Sequence, residues 1–347
     1  MYHARFSGTH REAGLHWGSM LAGHGKFIAA QPTFAVSEER KQFARQCLPV
    51  YEKFFPEILE EIRGIADGQR GSFDDFAAFL LSMYAYGFGH CTCIAYADEN
   101  TSFLGRNCDF LTLLEKLYMN CLYRLDGGYA FNGNTTAFVQ MEDGMNERGL
   151  AAGLTFVYPK VRAAGLNAGM LVRLLLEKCA TAEEALAMLE KVPCASQHTV
   201  TVADGGGNIF VAECSPRKTY VTRPHTGPRA VAAANNFFST EMRALANPPW
   251  LDDWNAAGRY AAANEKMRAE PLTPDDAAKI LADGRLCGYD RRTGADTVWA
   301  AVYDTKSGRI YRAEGNPSRR QFQEDTRPLR RGEKFARRVD KSGRTVL

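Results

Sequence analysis

No apolar run in the 347 residues comes near the ~18 residues that a membrane-crossing helix needs. The opening MYHARFSGTHREAG also lacks the apolar core of a signal peptide. A cytoplasmic protein with no membrane partner is expected. The nine cysteines, an odd number spread along the chain, lack the paired C-x2-C spacing of zinc sites. Cys91 and Cys93 read as facing opposite sides of a strand, which argues against their clamping one ion. Neither a structural metal nor a disulfide framework is expected. The run Gly205-Gly206-Gly207 has no Lys-Ser/Thr pair and no following helix, so it reads as a hairpin turn, not a phosphate loop. There is no internal repeat, no long low-complexity segment and no sign of a cofactor.

Surplus charge is nearly absent too, at +3, but it is unevenly spread. From Arg319 to Arg344 ten Lys/Arg face four Asp/Glu, leaving the rest of the chain at −3. With Phe322 and Phe335 as its only aromatics, this tail reads as a solvated extension or a contact between copies of the chain, a homo-oligomer, and not as a nucleic-acid arm.

What is present suits a globular protein with a sizeable core: 45% hydrophobic and 24% charged residues. Residues 1 to about 90 read as mostly helical. Apolar positions recur at helical spacing from Ser37 to Gly68, with breaks at Pro49 and Pro56, and Ser72-Phe73-Asp74-Asp75 opens a helix to about Tyr86. Strands follow at 91–97, 101–107, about 117–125, 135–141 and 149–157, with turns at Gly127-Gly128, Asn132-Gly133-Asn134 and Asp143-Gly144. Helices at 167–179 and 182–191 precede strands at 198–204, 208–214, 218–222 and 229–234. Helices at 252–269 and 274–284 precede a last hairpin, 296–304 and 308–314. Close strands with tight turns imply antiparallel sheets, and the alternation of classes implies an α+β fold with helices outside two sheets. Three parts are expected: a helical 1–90 segment, a core over 91–318, and the basic extension 319–347.

The chemistry concentrates in GFGHCTCIAYADENTSFLGRNCDF, Gly87 to Phe110. A hairpin here returns Arg106 and Asp109 to the neighbourhood of Cys91. A thiolate is a strong nucleophile, and a nearby guanidinium favours its charge. The missing element is a base. His90 adjoins Cys91 and would point to the other face of the strand. If the His90–Cys91 bond were cut, the new α-amino group of Cys91, with an ordinary pKa of roughly 7.7 to 8.0, would supply one.

CTC followed by LGRNCDF resembles the start of the mature chain in cysteine-type N-terminal nucleophile amidohydrolases: choloylglycine hydrolases, penicillin V acylases and the self-cleaving isopenicillin N acyltransferases. Gly144-Met145-Asn146-Glu147-Arg148-Gly149-Leu150 is similar to their GMNE-x-GL stretch, and Ala234-Asn235-Asn236-Phe237 to their TNHF or TNNP segment. Phe6 to Gly14 resembles the opening of the acyltransferase precursors. The resemblance implies a four-layer αββα sandwich of two antiparallel sheets and self-cleavage at His90–Cys91, the 1–90 segment staying bound. It further implies hydrolysis of a small-molecule linear amide through a thioester on Cys91, or acyl transfer. Arg106 and Asp109 would orient and hold the nucleophile. Asn235 would be the oxyanion donor, with Asn236 the neighbouring choice of register, and Thr155 a secondary donor. Phe131, Phe138, Phe156, Tyr158, Phe237 and Phe238 are candidates for an apolar acyl pocket. This sequence has His90 where the acyltransferases have Gly, and Thr155 where choloylglycine hydrolases have Asn. Two other readings stand beside this one: a catalytically silent binding or structural member, and a thiol redox protein using Cys91 and Cys93.

Overall fold

Alternating burial makes the first strand, β1 (Tyr2–Gly8), in which Ala4 and Phe6 face the core and their neighbours are exposed. The chain is described here from a computed structural model, for residues 1–329 except 32, 33, 87, 88, 137, 225–228, 270 and 328, and for residue 29 without its side chain. The expected helical segment thus also contributes a strand. Its helices are α1 (His10–Gly23), α2 (Glu38–Phe54), α3 (Pro56–Gln69) and α4 (Phe73–Leu81). Thr9 and Glu12 form a reciprocal capping box at α1. Pro56 opens α3 at the position where a missing N–H costs nothing, whereas Pro49 lies inside α2 without ending it. Helix α4 is shorter than expected, and Gly87, read as part of its stop, lies outside the described residues. A Cβ on Gly14 would stand 1.9 Å from the Glu61 carbonyl and one on Gly64 2.2 Å from that of Arg11, so α1 and α3 pack backbone to backbone.

The hairpin of β2 (His90–Ala97) and β3 (Ser102–Leu111) follows, then β4 (Met119–Leu125), β5 (Phe131–Thr135), β6 (Asp143–Asn146) and β7 (Ala151–Phe156). Two expected turns are corrected here: Asn132-Gly133-Asn134 and Asp143-Gly144 lie within paired strands, and the strand expected at 135–141 is β5, ending at Thr135. Asn in this sheet is not a turn signal because its side chains are spent across strands. Asn120 Nδ2 donates to Asn132 Oδ1 (2.6 Å) and Asn134 Oδ1 (2.8 Å).

Helices α5 (Ala168–Lys178) and α6 (Ala182–Lys191) precede β8 (His198–Ala203), β9 (Ile209–Ser215), β10 (Lys218–Thr222) and β11 (Ala230–Ala233). The chain ends through α7 (Ala256–Lys266), α8 (Pro274–Leu281), α9 (Gly284–Cys287), β12 (Ala295–Asp304), β13 (Arg309–Ala313) and the short β14 (Gln323–Glu324). One sheet runs β1-β4-β5-β6-β7-β8-β9-β10 and the other β11-β2-β3-β12-β13-β14. The two sheets pack face to face over a core including Leu104, Leu122, Met145, Val211 and Tyr303. Helices α5 and α6 cover the first sheet, and α7, α8 and α9 the second, which gives the αββα sandwich. Among the described residues the strands of both sheets pair antiparallel except β1 with β4, which run parallel over seven residue pairs. Of the basic extension, β14 and Arg319, which pairs with Asp296, pack on the fold; residues from 330 on lie outside the described part. No helix among the described residues is long and apolar enough to cross a membrane.

Candidate active site

The β2–β3 ladder sets Cys91 opposite Cys108, Cys93 opposite Arg106 and His90 opposite Asp109. Side chains two apart on a strand share a face, so Cys91 and Cys93 both look into the sandwich, contrary to the sequence expectation. A Cβ on Gly153 of β7 would stand 2.9 Å from Cys93 Sγ and 3.1 Å from Arg106 Cδ. That glycine is what gives the Arg106 side chain room to lie between the sheets.

Arg106 is fully buried and every arm is used. Its Nη2 donates to Cys91 Sγ at 2.7 Å and to Glu142 Oε2 at 3.2 Å, its Nη1 to Asp143 Oδ2 at 2.7 Å, and its Nε to the Leu154 carbonyl at 2.9 Å. Asp143 is fixed in turn by Asn134 Nδ2, Tyr303 O–H and Trp299 Nε1. Facing carboxylates and thiols push the Arg106 pKa above its ordinary value despite its burial, so its charge is permanent. The thiol of Cys108 donates to Glu142 Oε2 at 3.2 Å. Burial, the hydrogen bond with Cys91 and the Glu142 charge push that thiol well up. Of the two facing sulfurs, Cys91 therefore has the guanidinium and Cys108 keeps its proton. Cys91 Sγ, Cys108 Sγ and a Glu142 oxygen lie within 4.8 Å of one another, but Arg106 touches two of the three and its charge opposes a cation there.

On the opposite face of the same strands, toward α7, Arg259 holds the backbone. Its Nη1 donates to the Cys91 carbonyl (2.6 Å) and Thr92 Oγ1 (2.9 Å), and its Nη2 to Asn235 Oδ1 (2.8 Å). Asp109 is on this face. It accepts from Thr297 Oγ1 at 2.6 Å and Tyr289 O–H at 2.9 Å and lies 3.7 Å from Arg259, so it reaches Cys91 through Arg259 and the backbone. Burial raises its pKa. His90 stacks on Trp254, centroids 3.9 Å apart. Burial, then the Arg259 charge, lower its pKa to about 3, which leaves the ring neutral and a weak base at neutral pH.

Asn235, just after β11, sits at the His90–Cys91 peptide. Its Oδ1 accepts the Cys91 N–H at 2.8 Å, and its Nδ2 donates to the carbonyls of Gly89 and Phe156, both at 3.0 Å. Thr155 spends its hydroxyl on Thr199 and the Ala234 carbonyl, and Asn236 Oδ1 accepts from the backbone of Phe237 and Asn247. Both brace the loop that carries Asn235.

A cavity of about 230 Å³ opens on Cys91, Cys108 and Glu142, walled by Phe79, Met83, Tyr84, Tyr86, Phe110 and Phe156. Of the expected acyl-pocket aromatics, Phe156 alone lines it. Half of the lining residues come from the N-terminal segment, Phe79, Met83, Tyr84 and Tyr86 among them. Tyr84 has a positive φ of 60°, and its buried hydroxyl has no hydrogen-bond partner among the described residues. Sequence reading missed Arg259, Glu142, Asp143, Cys108 and Tyr84. Three of these had a signal: Cys108 lies inside LGRNCDF, and Glu142-Asp143 lies directly before Gly144-Met145-Asn146-Glu147.

Among solved structures, penicillin V acylase from Agrobacterium tumefaciens is similar at 20% identity over 65% of this chain and 83% of that one, with a TM-score of 0.45. A variant of conjugated bile acid hydrolase from Clostridium perfringens is similar at 14% identity over 68% and 92%, with a TM-score of 0.48. The family model of acyl-coenzyme A:6-aminopenicillanic acid acyl-transferase matches residues 96–319, which take in the Arg106 and Asn235 segments and most of the sandwich, and the chain belongs to that family.

Proposed function

We propose that the thiol of Cys91 cuts the chain ahead of itself, and that the freed residue then works as an N-terminal cysteine nucleophile on a linear, non-peptide amide with an apolar acyl group. The reaction class, hydrolysis or transfer at a linear amide C–N bond, follows from the family. The observation that carries the finer reading is the way Asn235 straddles the 90–91 bond. Its oxygen takes the N–H on one side and its nitrogen the Gly89 carbonyl on the other.

In the first stage Cys91 Sγ adds to the His90 carbonyl and the C–N bond breaks, leaving residues 1–90 as a thioester on sulfur and a free α-amine on Cys91. Water then releases the His90 carboxylate. With the cut end withdrawn, Asn235 Nδ2 loses its Gly89 partner and becomes a donor for the oxyanion of an incoming substrate, a role typically worth about 10²- to 10³-fold in rate. In the second stage the Cys91 amine takes the thiol proton, beside Arg106, and the thiolate attacks the substrate amide. The amine product leaves with that proton, and water or a second amine resolves the acyl thioester. The aromatic wall suits an apolar acyl group, and the unspent Tyr84 O–H would meet an acceptor on it.

The 1–90 segment stays in place after the cut in this reading, since β1 is hydrogen-bonded into the larger sheet and His10 meets Glu177 at 2.9 Å. The nine cysteines, all free and buried, fit a reducing compartment such as the cytoplasm. A redox role for Cys93 is disfavoured by burial, which pushes its thiol up to about 12. Intact-mass analysis with N-terminal sequencing tests the proposal: two chains are expected, one beginning at Cys91, and incubation with a panel of N-acyl compounds should leave a transient acyl adduct on it. Active protein with the 90–91 bond whole would overturn it.

A further inference from the structure

Cys91 and Cys108 are a cross-strand pair, directly opposite in the β2–β3 register, and both line the cavity. Opposed residues in an antiparallel ladder have Cα atoms ~4.5 or ~5.5 Å apart, inside the ~4.4–6.8 Å span that disulfides use. Cys93, two along the same strand from Cys91, is ~6.6–6.8 Å away by strand rise, at the edge of that span, with its sulfur directed to Gly153. Arg106 supports negative charge on Cys91, and Glu142 Oε2 already accepts the Cys108 S–H. The parts of a two-thiol oxidation site are therefore assembled: an attacking sulfur, a resolving sulfur facing it, and an acceptor for the second proton.

We propose that Cys91 and Cys108 form a reversible disulfide when the cavity admits a small hydroperoxide, with Cys108 as the resolving thiol that returns the nucleophile undamaged. The thiolate of Cys91 attacks the peroxide O–O bond, giving a sulfenic acid and releasing the alkoxide, which is protonated to the alcohol. Cys108, giving its proton up to Glu142, attacks the sulfenic sulfur. The S–S bond forms, and hydroxide leaves and is protonated to water. In sum two thiols and one hydroperoxide give one disulfide, one alcohol and one water, the sulfurs losing the two electrons that the O–O bond gains. While the bond lasts, Cys91 can attack neither the His90 carbonyl nor a substrate.

The test is hydrogen peroxide at a small molar excess over purified full-length protein, followed by alkylation, intact mass and a non-reducing peptide map. Expected are a mass lower by about 2 Da, a linked pair of peptides holding Cys91 and Cys108, and loss of Cys91 alkylation that dithiothreitol restores. In Cys108→Ser the same treatment should add oxygen, about 16 Da per step, to Cys91, and dithiothreitol should recover far less thiol. Oxygen adducts without a link in the wild type, or a link from Cys91 to Cys93, would overturn the assignment. The wild-type map decides the matter even if the serine variant folds poorly. The readout is the same in cut and uncut chains, so its failure leaves the amidohydrolase reading untouched.

Discussion

Arg106 and Arg173 are both fully buried guanidiniums, each holding two carboxylates and one backbone carbonyl. Arg106 has Glu142, Asp143 and Leu154. Arg173, on α5, has Glu61, Glu177 and the Val139 carbonyl, and lies over the Tyr123 ring at 3.8 Å. The difference lies in what each does with its remaining surface. Arg173 spends it on aromatic rings, Tyr123 and Phe131, deep in the core. Arg106 has the Trp299 ring at 5.9 Å as well, but it also holds a sulfur that lines a cavity. A buried arginine with paired acids says little about function, since such clusters join elements as often as they serve chemistry; the added thiol and the adjoining space separate the two.

The comparison can be broken most decisively at the sulfur. Cys91→Ala should abolish both self-cleavage and turnover while the chain stays folded, read by intact mass and circular dichroism. The next largest effect should come from the arginines. Arg173→Met strands two buried acids and should cost about 3–5 kcal/mol of stability, measured by denaturant unfolding, with cleavage by the folded fraction at the native rate. Arg106→Lys keeps the charge but loses the fork; it should cost less stability yet slow cleavage by about 10²-fold or more. Equal effects of the two on cleavage per folded molecule would erase the distinction drawn here.

Acid should act on the Arg173 cluster through Glu177. Burial alone would raise the pKa of Glu177, but the charge of Arg173 and the hydrogen bond from His10 outweigh it and hold it at about 2. Its folded value lies below the unfolded ~4.3, so its contribution is whole above ~4.3 and is lost as pH falls toward 2, about 2–3 kcal/mol in all. Glu177→Gln should flatten stability against pH in that window. The smallest effect expected is from Cys93→Ala, about 1 kcal/mol of packing, with cleavage and turnover retained.

The β2–β3 hairpin was legible because its apolar, β-branched run and polar turn agree with its pairing. The Arg106–Cys91 contact followed from the hairpin register. Arg259 was not legible: it lies 168 positions from Cys91 on a helix with no motif, and only the packing of α7 against β2 brings it near. Asn132-Gly133-Asn134 misled because residue type argues for a turn, while the partners that make it a strand, Asn120 and Arg312 among them, come from elsewhere in the chain. Strand β1 hid because Ala4 and Phe6 are its only inward residues. Apolar lining was sought after residue 130, whereas half of the residues around the cavity precede Cys91.

The parallel pairing of β1 with β4 bears on how such a molecule could be made twice. While the polypeptide is whole, the strand finds its neighbour as part of one chain. Once severed, the same seven-residue ladder joins two separate molecules, and their reunion after denaturation would depend on concentration. A chain cut as proposed should then unfold in a single irreversible passage, and its working lifetime would be set by the rate of escape and not by an equilibrium.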